Sequence, residues 1–440
     1  MASLVIELND SEIRVARETE IILRTPGYAV LQPDALILGE HAERAAHLNP
    51  RQTHSRYWSN LNQDALAVRS SQARHNADLA WRQLLAIHEQ TGRPDEVIFT
   101  VPGSYSREQL SLLLGIVQSC PFTAVGLVDS AVAGAAAVAG PGNYAHVDMH
   151  LHHTVITRLD VGDTVTRTGV HIIEDCGITD IHDTCAGLIA DLFIQQSRFD
   201  PQHHAETEQS LYDQIPHYLR TLLEDEEVQP EIRHGNTRHQ ARLFREPLLR
   251  ALQAQYEKII SALPADTTRL ISDRLASLPG FMQELNNAHP LQADAVFLGC
   301  RMHDAVIRSS GPALQFVTSL PVTRTPSLQS SPQTIPAPPR REDGDKGFTA
   351  THILISHRAH ALGATPLYVA ADEGVVRATD PRRHCSISLN DKGATVRQEG
   401  ELAVYVNGRR IDGSAPVSAG DTLGFAGSDT VYRFIHVVTR

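Results

Sequence analysis

Glu96–Tyr105 reads EVIFTVPGSY, and Leu127–Gly140 reads LVDSAVAGAAAVAG. Glu96 to Val101 is a short run of β-formers closed by Pro102-Gly103, the pattern of a buried strand ending in a turn. Ser106 to Ser119 follows as a helix with Leu110, Leu113, Leu114 and Val117 on one face. Val125 to Val128 is the next strand, and Asp129 to Gly140 is a helix made almost entirely of small side chains, which lets two backbones approach closely. Upstream, Leu4 to Leu8 and Glu12 to Ala16 read as a hairpin about the turn Asn9-Asp10-Ser11. Asn76 to Gln90 is an amphipathic helix stopped by Thr91-Gly92-Arg93-Pro94. Downstream, His146 to Leu159 and Val165 to Glu174 read as antiparallel strands about Asp160–Asp163. Asp180 to Gln196 and Arg245 to Leu263 are helices, and Ala295 to Leu298 is a last strand ending at Gly299. Alternating short strands and helices predict an α/β domain. No internal repeat is visible in the residues.

The chain has 440 residues, enough for two or three domains. Leu320 to Gly347 contains TPSLQSSPQTIPAPPRREDGDKG, too poor in large apolar groups to offset its ordering entropy. It divides the sequence into an α/β domain over 1–318, a Pro/Ser-rich linker over 319–347 and a third segment over 348–440. That segment has short alternating runs between Gly, Asp and Asn turns, at His384–Leu389, Ala394–Arg397, Ala403–Val406, Thr422–Phe425 and Val431–Val438. Such spacing predicts an all-β sandwich. With 39 Lys and Arg against 51 Asp and Glu, the net charge of −12 argues against a general nucleic-acid binder. No apolar run is long enough for a membrane helix and no signal peptide is expected. The five cysteines form no CxxC pair and read as reduced thiols, so the expected location is cytoplasmic.

The order of these elements resembles the actin-like ATPase domain of heat-shock chaperones of the DnaK type. The VIFTVPGSY stretch (Val97 to Tyr105) carries most of the resemblance, with the small-residue segment beginning at Asp129. The likeness spans about residues 3 to 310, with an abbreviated stretch between Arg24 and Arg93. It implies an actin/heat-shock-chaperone-type nucleotide-binding fold, in which two Gly- and Thr-rich hairpin turns wrap the ATP phosphates and acidic residues hold Mg²⁺. By that implication the cleft residues are Glu7, Asp10, Ser11, Asp129, Asp148 and Gly299. The chain departs from the family pattern at most of these places. Asp-Leu-Gly-Thr-Thr becomes Glu7-Leu8-Asn9-Asp10-Ser11. Asp-Leu-Gly-Gly-Gly-Thr becomes Asp148-Met149-His150-Leu151-His152-His153-Thr154. Gly-Gly-Ser becomes Gly299-Cys300-Arg301. A carboxylate at Asp10 would repel a triphosphate, so no cofactor is expected and ATP with Mg²⁺ is the exception to test.

In the third segment, Arg382-Arg383-His384, Tyr405-Val406-Asn407-Gly408 and Val417–Phe425 resemble a forkhead-associated domain, an eleven-stranded β-sandwich that reads phosphothreonine with the loops at one end. The resemblance implies partner contacts at Arg382, Arg383, His384 and Asn407. The family's phosphate-binding Arg is missing, because Leu367–Ala371 stands in its place, and Pro381 replaces a Ser. A phosphate-independent protein contact is therefore expected.

Other clusters are less directive. His146, His150, His152 and His153 lie on one presumed strand, where period-two spacing would give His150 and His152 a shared face suited to a metal. Polar filling of a vacated phosphate cleft is the favoured explanation. Cys176, His182, Asp183 and Cys185 form a second set, with buried thiols as the plain explanation. Glu224–Glu227 is a solvated acidic run, and Thr325-Pro326 in the linker is a kinase-like site. No catalytic triad, nucleophile elbow or Walker loop is present. The combined expectation is a non-catalytic adaptor that binds protein partners through both domains, with no nucleic acid, no membrane and an undetermined oligomeric state. The alternatives are a nucleotide-dependent switch with an unusual phosphate cradle, and a phosphothreonine-peptide reader.

Overall fold

The structure is a computed structural model, described here for residues 4–68, 70–308, 314–322, 350–355, 358–370, 374–376, 385–390, 393–400, 402–407, 409–411, 413–425 and 432–435. The chain divides into two compact units, Met1–Leu328 and Gln329–Arg440.

The first unit opens with the hairpins β1 (Leu4–Glu7), β2 (Ile13–Arg17) and β3 (Glu20–Thr25). Helix α1 (Asn76–Gln90) leads to β4 (Glu96–Val101), and α2 (Arg107–Gln118) leads to β5 (Thr123–Asp129). Ser106 starts α2 with a capping box, its side chain accepting from Gln109 N while Gln109 accepts from Ser106 N. Then come α3 (Ser130–Val138), β6 (Gly142–Met149), β7 (His153–Val161) and β8 (Thr164–Glu174). Helices α4 (Ile178–Ser197), α5 (Ala205–Thr221) and α6 (Arg245–Ala262) precede β9 (Thr268–Ile271), β10 (Ala288–Pro290) and α7 (Ala295–Met302). The short strands β11 (Phe316–Val317) and β12 (Ser319–Pro321) complete the unit.

Two six-stranded sheets result, ordered β3-β2-β1-β4-β5-β11 and β8-β7-β6-β9-β10 with β12 on the β8 edge. In each, three strands run as an antiparallel meander and two more add in parallel beside the first of them. The unit thus repeats one topology twice. The residues show no repeat because the two copies preserve strand order, not side chains.

The strands are buried on both faces, so alternation sorts their residues between layers. Leu4 and Ile6 pack with α1 and α2, whereas Val5 faces α3 and α7. In β6, Ala145, Val147 and Met149 pack with α4, α5 and α6. His146 and Asp148 share the opposite face. Glu7 and Asp148 therefore stand at the ends of two strands whose inner faces meet across α3 and α7.

Three expectations change. Ala295–Leu298 is the first half of α7, not a strand. The run is apolar because one face packs on α3, where Ala295, Val296 and Phe297 join Ala131, Val132 and Ala135 in one core. Gly299 lies inside α7, where a Cβ would fall 1.9 Å from the carbonyl oxygen of Ala133, so its role is close helix crossing. The expected linker also begins too early: β12 pairs with β8 through Val165↔Leu320, and Leu320 is fully buried. Residues 323–349 lie outside the described residues.

The second unit has eleven strands among the described residues: β13 (His352–Ile355), β14 (Arg358–Ala361), β15 (Leu367–Ala370), β16 (Gly374–Val376), β17 (Cys385–Asn390), β18 (Gly393–Gln398), β19 (Val404–Val406), β20 (Arg409–Arg410), β21 (Ser414–Val417), β22 (Thr422–Phe425) and β23 (Tyr432–Ile435). They form sheets ordered β14-β13-β23-β22-β19-β20 and β16-β15-β17-β18-β21. Ile353, Leu423 and Phe434 of one pack against Val369, Ile387 and Val396 of the other in a common core. The all-β expectation for this segment therefore holds.

The helix crossing gives a direct prediction. Gly299→Ala should cost about 2–3 kcal/mol by urea unfolding, because backbone must move to admit the methyl. Gly115→Ala in α2, where a Cβ meets nothing within 4 Å, should be neutral or stabilising by about 0.5–1 kcal/mol.

Candidate functional site

The β1–β2 turn and the β6–β7 turn bind each other through the side chains that stand where glycine and threonine were expected. Asn9 Nδ2 donates to Asp148 Oδ2 at 2.9 Å and to the Met149 carbonyl at 3.1 Å. Ser11 Oγ lies 3.2 Å from the same carbonyl. Asp10 Oδ1 accepts from Leu151 N–H at 2.9 Å and stands 3.2 Å from His150 Nδ1. Asn9, Asp10 and His150 are all buried. Burial alone would raise the Asp10 pKa, but the His150 hydrogen bond, the charges of His150 and His153 and the Leu151 N–H outweigh it and hold the carboxyl below its usual range.

The second turn is clamped from behind by the N-terminus of α4. Ile178 N–H donates to His150 O at 2.9 Å and Thr179 N–H to Leu151 O at 3.0 Å, so the turn's carbonyls satisfy donors that a helix start leaves free. Gly177 makes this possible, since a Cβ there would lie 2.3 Å from Leu151 O. Asp180 closes the arrangement by accepting from Gly177 N–H at 2.8 Å.

Three of the four acidic residues of the expected cleft, Glu7, Asp129 and Asp148, have an arginine beside them. Arg274, just beyond the end of β9, donates to Glu7 Oε2 at 2.8 Å, to Glu7 Oε1 at 3.2 Å and to Glu12 O at 2.9 Å. It also lies 3.7 Å from Asp148 Oδ1. Arg167 donates to Asp129 Oδ2 at 2.7 Å, while Asp129 Oδ1 caps α3 through Ala131 N and Val132 N. Asp148 is buried, which opposes ionisation, yet Arg274 and then His150 and His146 hold it well below the usual carboxylate range. The space bounded by Glu7, Ser130, His146, Asp148, Arg274 and Ala295 measures about 10 Å³. That is at the lower limit for one water.

Of the residues expected in the cleft, Glu7, Asp10, Ser11 and Asp148 thus converge, Asp129 caps the adjoining helix, and Gly299 belongs to the α3–α7 crossing. His150 and His152 do not share a strand face, because residues 150–152 form a turn. His150 turns to Asp10, whereas His152 contacts Ser55 Oγ at 3.0 Å and Thr179 Oγ1 at 3.2 Å. Among the described residues, no group of three or more His, Cys, Asp and Glu has the geometry of a metal site. The thiols of Cys176 and Cys185 are pushed up by burial, to about 11 and about 12.

A larger cavity of about 930 Å³ adjoins Arg274 and Ser11 and extends between residues 40–47 and α5. A strap joins two of its lining segments: Gln209 Nε2 donates to Glu43 O at 3.1 Å, Gln209 Oε1 accepts from His47 N–H at 2.8 Å, and His47 stacks on Tyr212 at 3.7 Å. Burial and the charges of Asp213 and Glu40 raise Glu43 to about 7. Sequence reading missed Arg274, Arg167 and this strap. The position of Arg274 beyond a parallel strand was the available signal, but the strand was too short and mixed to stand out.

In the second unit, Asn407 adopts a φ of 51° and its side chain is engaged within the chain. It donates to Asp421 Oδ1 at 2.7 Å and accepts from Thr422 N–H at 2.9 Å, which ties the β19–β20 turn to β22. Arg382, Arg383 and His384 lie outside the described residues. No protein-family model matches the chain, and no curated protein matches it.

His153 supplies a pH prediction. Burial, then the charges of His150, His152 and Arg56, lower its pKa to about 4 from an unfolded value near 6.5. Its stabilising contribution is therefore full above pH 6.5 and is lost as pH falls toward 4, at up to about 1.4 kcal/mol per unit. Urea titrations at pH 7.5 and 4.5 should show a smaller loss in His153→Gln than in the wild type.

Proposed function

We propose that this protein is a non-catalytic adaptor, built from an actin/heat-shock-chaperone-type unit with a collapsed nucleotide site and a forkhead-associated-like β-sandwich. The doubled sheet order supports the first assignment and the eleven-strand arrangement supports the second. The observation that carries the functional reading is the pairing of Glu7 and Asp148 with Arg274, and of Asp129 with Arg167. Cationic side chains stand where a nucleotide-bound Mg²⁺ would neutralise these carboxylates, and the turns that would wrap phosphates hold each other instead. The residues present do not fit that group. Each unit would offer a protein-binding surface, and the connecting segment would set their effective concentration. Phosphothreonine reading is the weaker reading for the second unit, since Asn407 is committed to Asp421 and Thr422.

A nucleotide-dependent switch is the second reading. It is favoured by the 930 Å³ cavity beside Arg274, which Arg14, Arg24 and Arg220 also line.

Melting of the full chain with and without millimolar Mg-ATP or Mg-ADP separates the two. The adaptor reading predicts no shift and no phosphate release. A rise of several degrees would replace it with the switch, because a ligand that binds only the folded state stabilises it.

A further inference from the structure

Asp10 and His150 form a buried pair whose outer atoms have no partner among the described residues. Both residues are under 4% exposed, and Asp10 Oδ2 and His150 Nε2 have no hydrogen bond among the described residues. Buried polar atoms of this kind call for a partner, a water or a bound molecule. Both residues line a cavity of about 160 Å³, together with Trp58, Tyr105, Arg56 and Glu174.

The chemistry of the two atoms restricts what enters. An ionised carboxylate only accepts hydrogen bonds. In the uncharged tautomer that donates Nδ1–H to Asp10 Oδ1, His150 presents a lone pair at Nε2. In that tautomer both unpartnered atoms are acceptors, and the cavity takes a donor. Two aromatic walls and the carboxylate of Glu174 favour that donor being a cation. An anion would meet Asp10 without a hydrogen to offer it.

We propose that this cavity binds a primary ammonium group, donated to Asp10 Oδ2 and His150 Nε2 and enclosed by Trp58 and Tyr105. The group can belong to a small free amine or to a lysine side chain of a protein partner. In a free amino acid, the acid end would meet Arg56. The selectivity is opposite to that of a phosphate site, although the same two turns build it.

The chain has two tryptophans, Trp58 and Trp81. Full-length protein carrying Trp81→Phe therefore reports on the cavity through Trp58 alone. Ethylamine, β-alanine and a short lysine-containing peptide are titrated in parallel, with ethanol and acetate at matched ionic strength as controls. The proposal predicts a saturable change in Trp58 fluorescence with at least one amine probe and none with the controls. Saturation by ethylamine or β-alanine identifies a free amine, and saturation by the peptide alone identifies a partner's lysine. Asp10→Asn should weaken the responding probe at least tenfold. Should that variant fail to fold, Glu174→Gln, on an exposed side chain, should weaken it several-fold. Acetate matching the amines, or no saturable response to any amine probe at tens of millimolar, would overturn the proposal and leave water as the partner of the two atoms.

Discussion

One guanidinium holds the two sheets of the first unit in register. Arg274 sits with its side chain 10% exposed, against a Glu7 side chain that is 3% exposed and an Asp148 side chain that is 8% exposed. Taking three charges out of water costs several kcal/mol per ion, and only close pairing recovers it. The pairing is also an architectural constraint, because Glu7 ends a strand of one sheet, Asp148 lies near the end of a strand of the other, and Arg274 follows a third strand. Displacing any of the three leaves a buried charge without compensation.

The neighbouring features extend this constraint. Asn9, Asp10 and Ser11 reach across to the second turn, α4 grips that turn from behind, and Gly299 lets α7 press on α3 below. Two copies of one sheet topology thereby meet through polar turns on one side and the close crossing of α3 and α7 on the other. Together these contacts leave about 10 Å³ between Glu7 and Asp148, with cavities of about 160 and 930 Å³ beside the two turns. The proposed adaptor role follows from that closure, while the adjoining 930 Å³ cavity keeps the competing reading concrete.

Much of the architecture was legible in the residues. Strand β4 and helix α1 begin and end where EVIFTV and NADLAWRQLLAIHEQ do, because their apolar patterns and stop signals agree. Asp129 was legible as the start of a small-residue helix. Ala295–Leu298 misled because a short apolar run fits a buried strand and a buried helix turn equally well, and only packing on α3 decides between them. The His150–His152 spacing misled because a turn interrupts the period of two. Arg274 and Arg167 were invisible as site residues, since their meaning lies in long-range pairing. Arg274 stands 267 positions from its partner Glu7.

The second unit shows the same limit. Its strand rhythm is local and readable, but the role of Asn407 depends on Asp421 and Thr422, which fold back onto it. A residue expected to grip a partner is employed in holding its own turn. A denaturant-unfolding cycle on Arg274 tests the central claim most directly. If Arg274 replaces an external cation, Arg274→Met alone should lose about 3–5 kcal/mol. Adding Glu7→Gln and Asp148→Asn should restore most of the loss. An Arg274→Met variant as stable as the wild type, or a triple variant no better than the single one, would contradict the account.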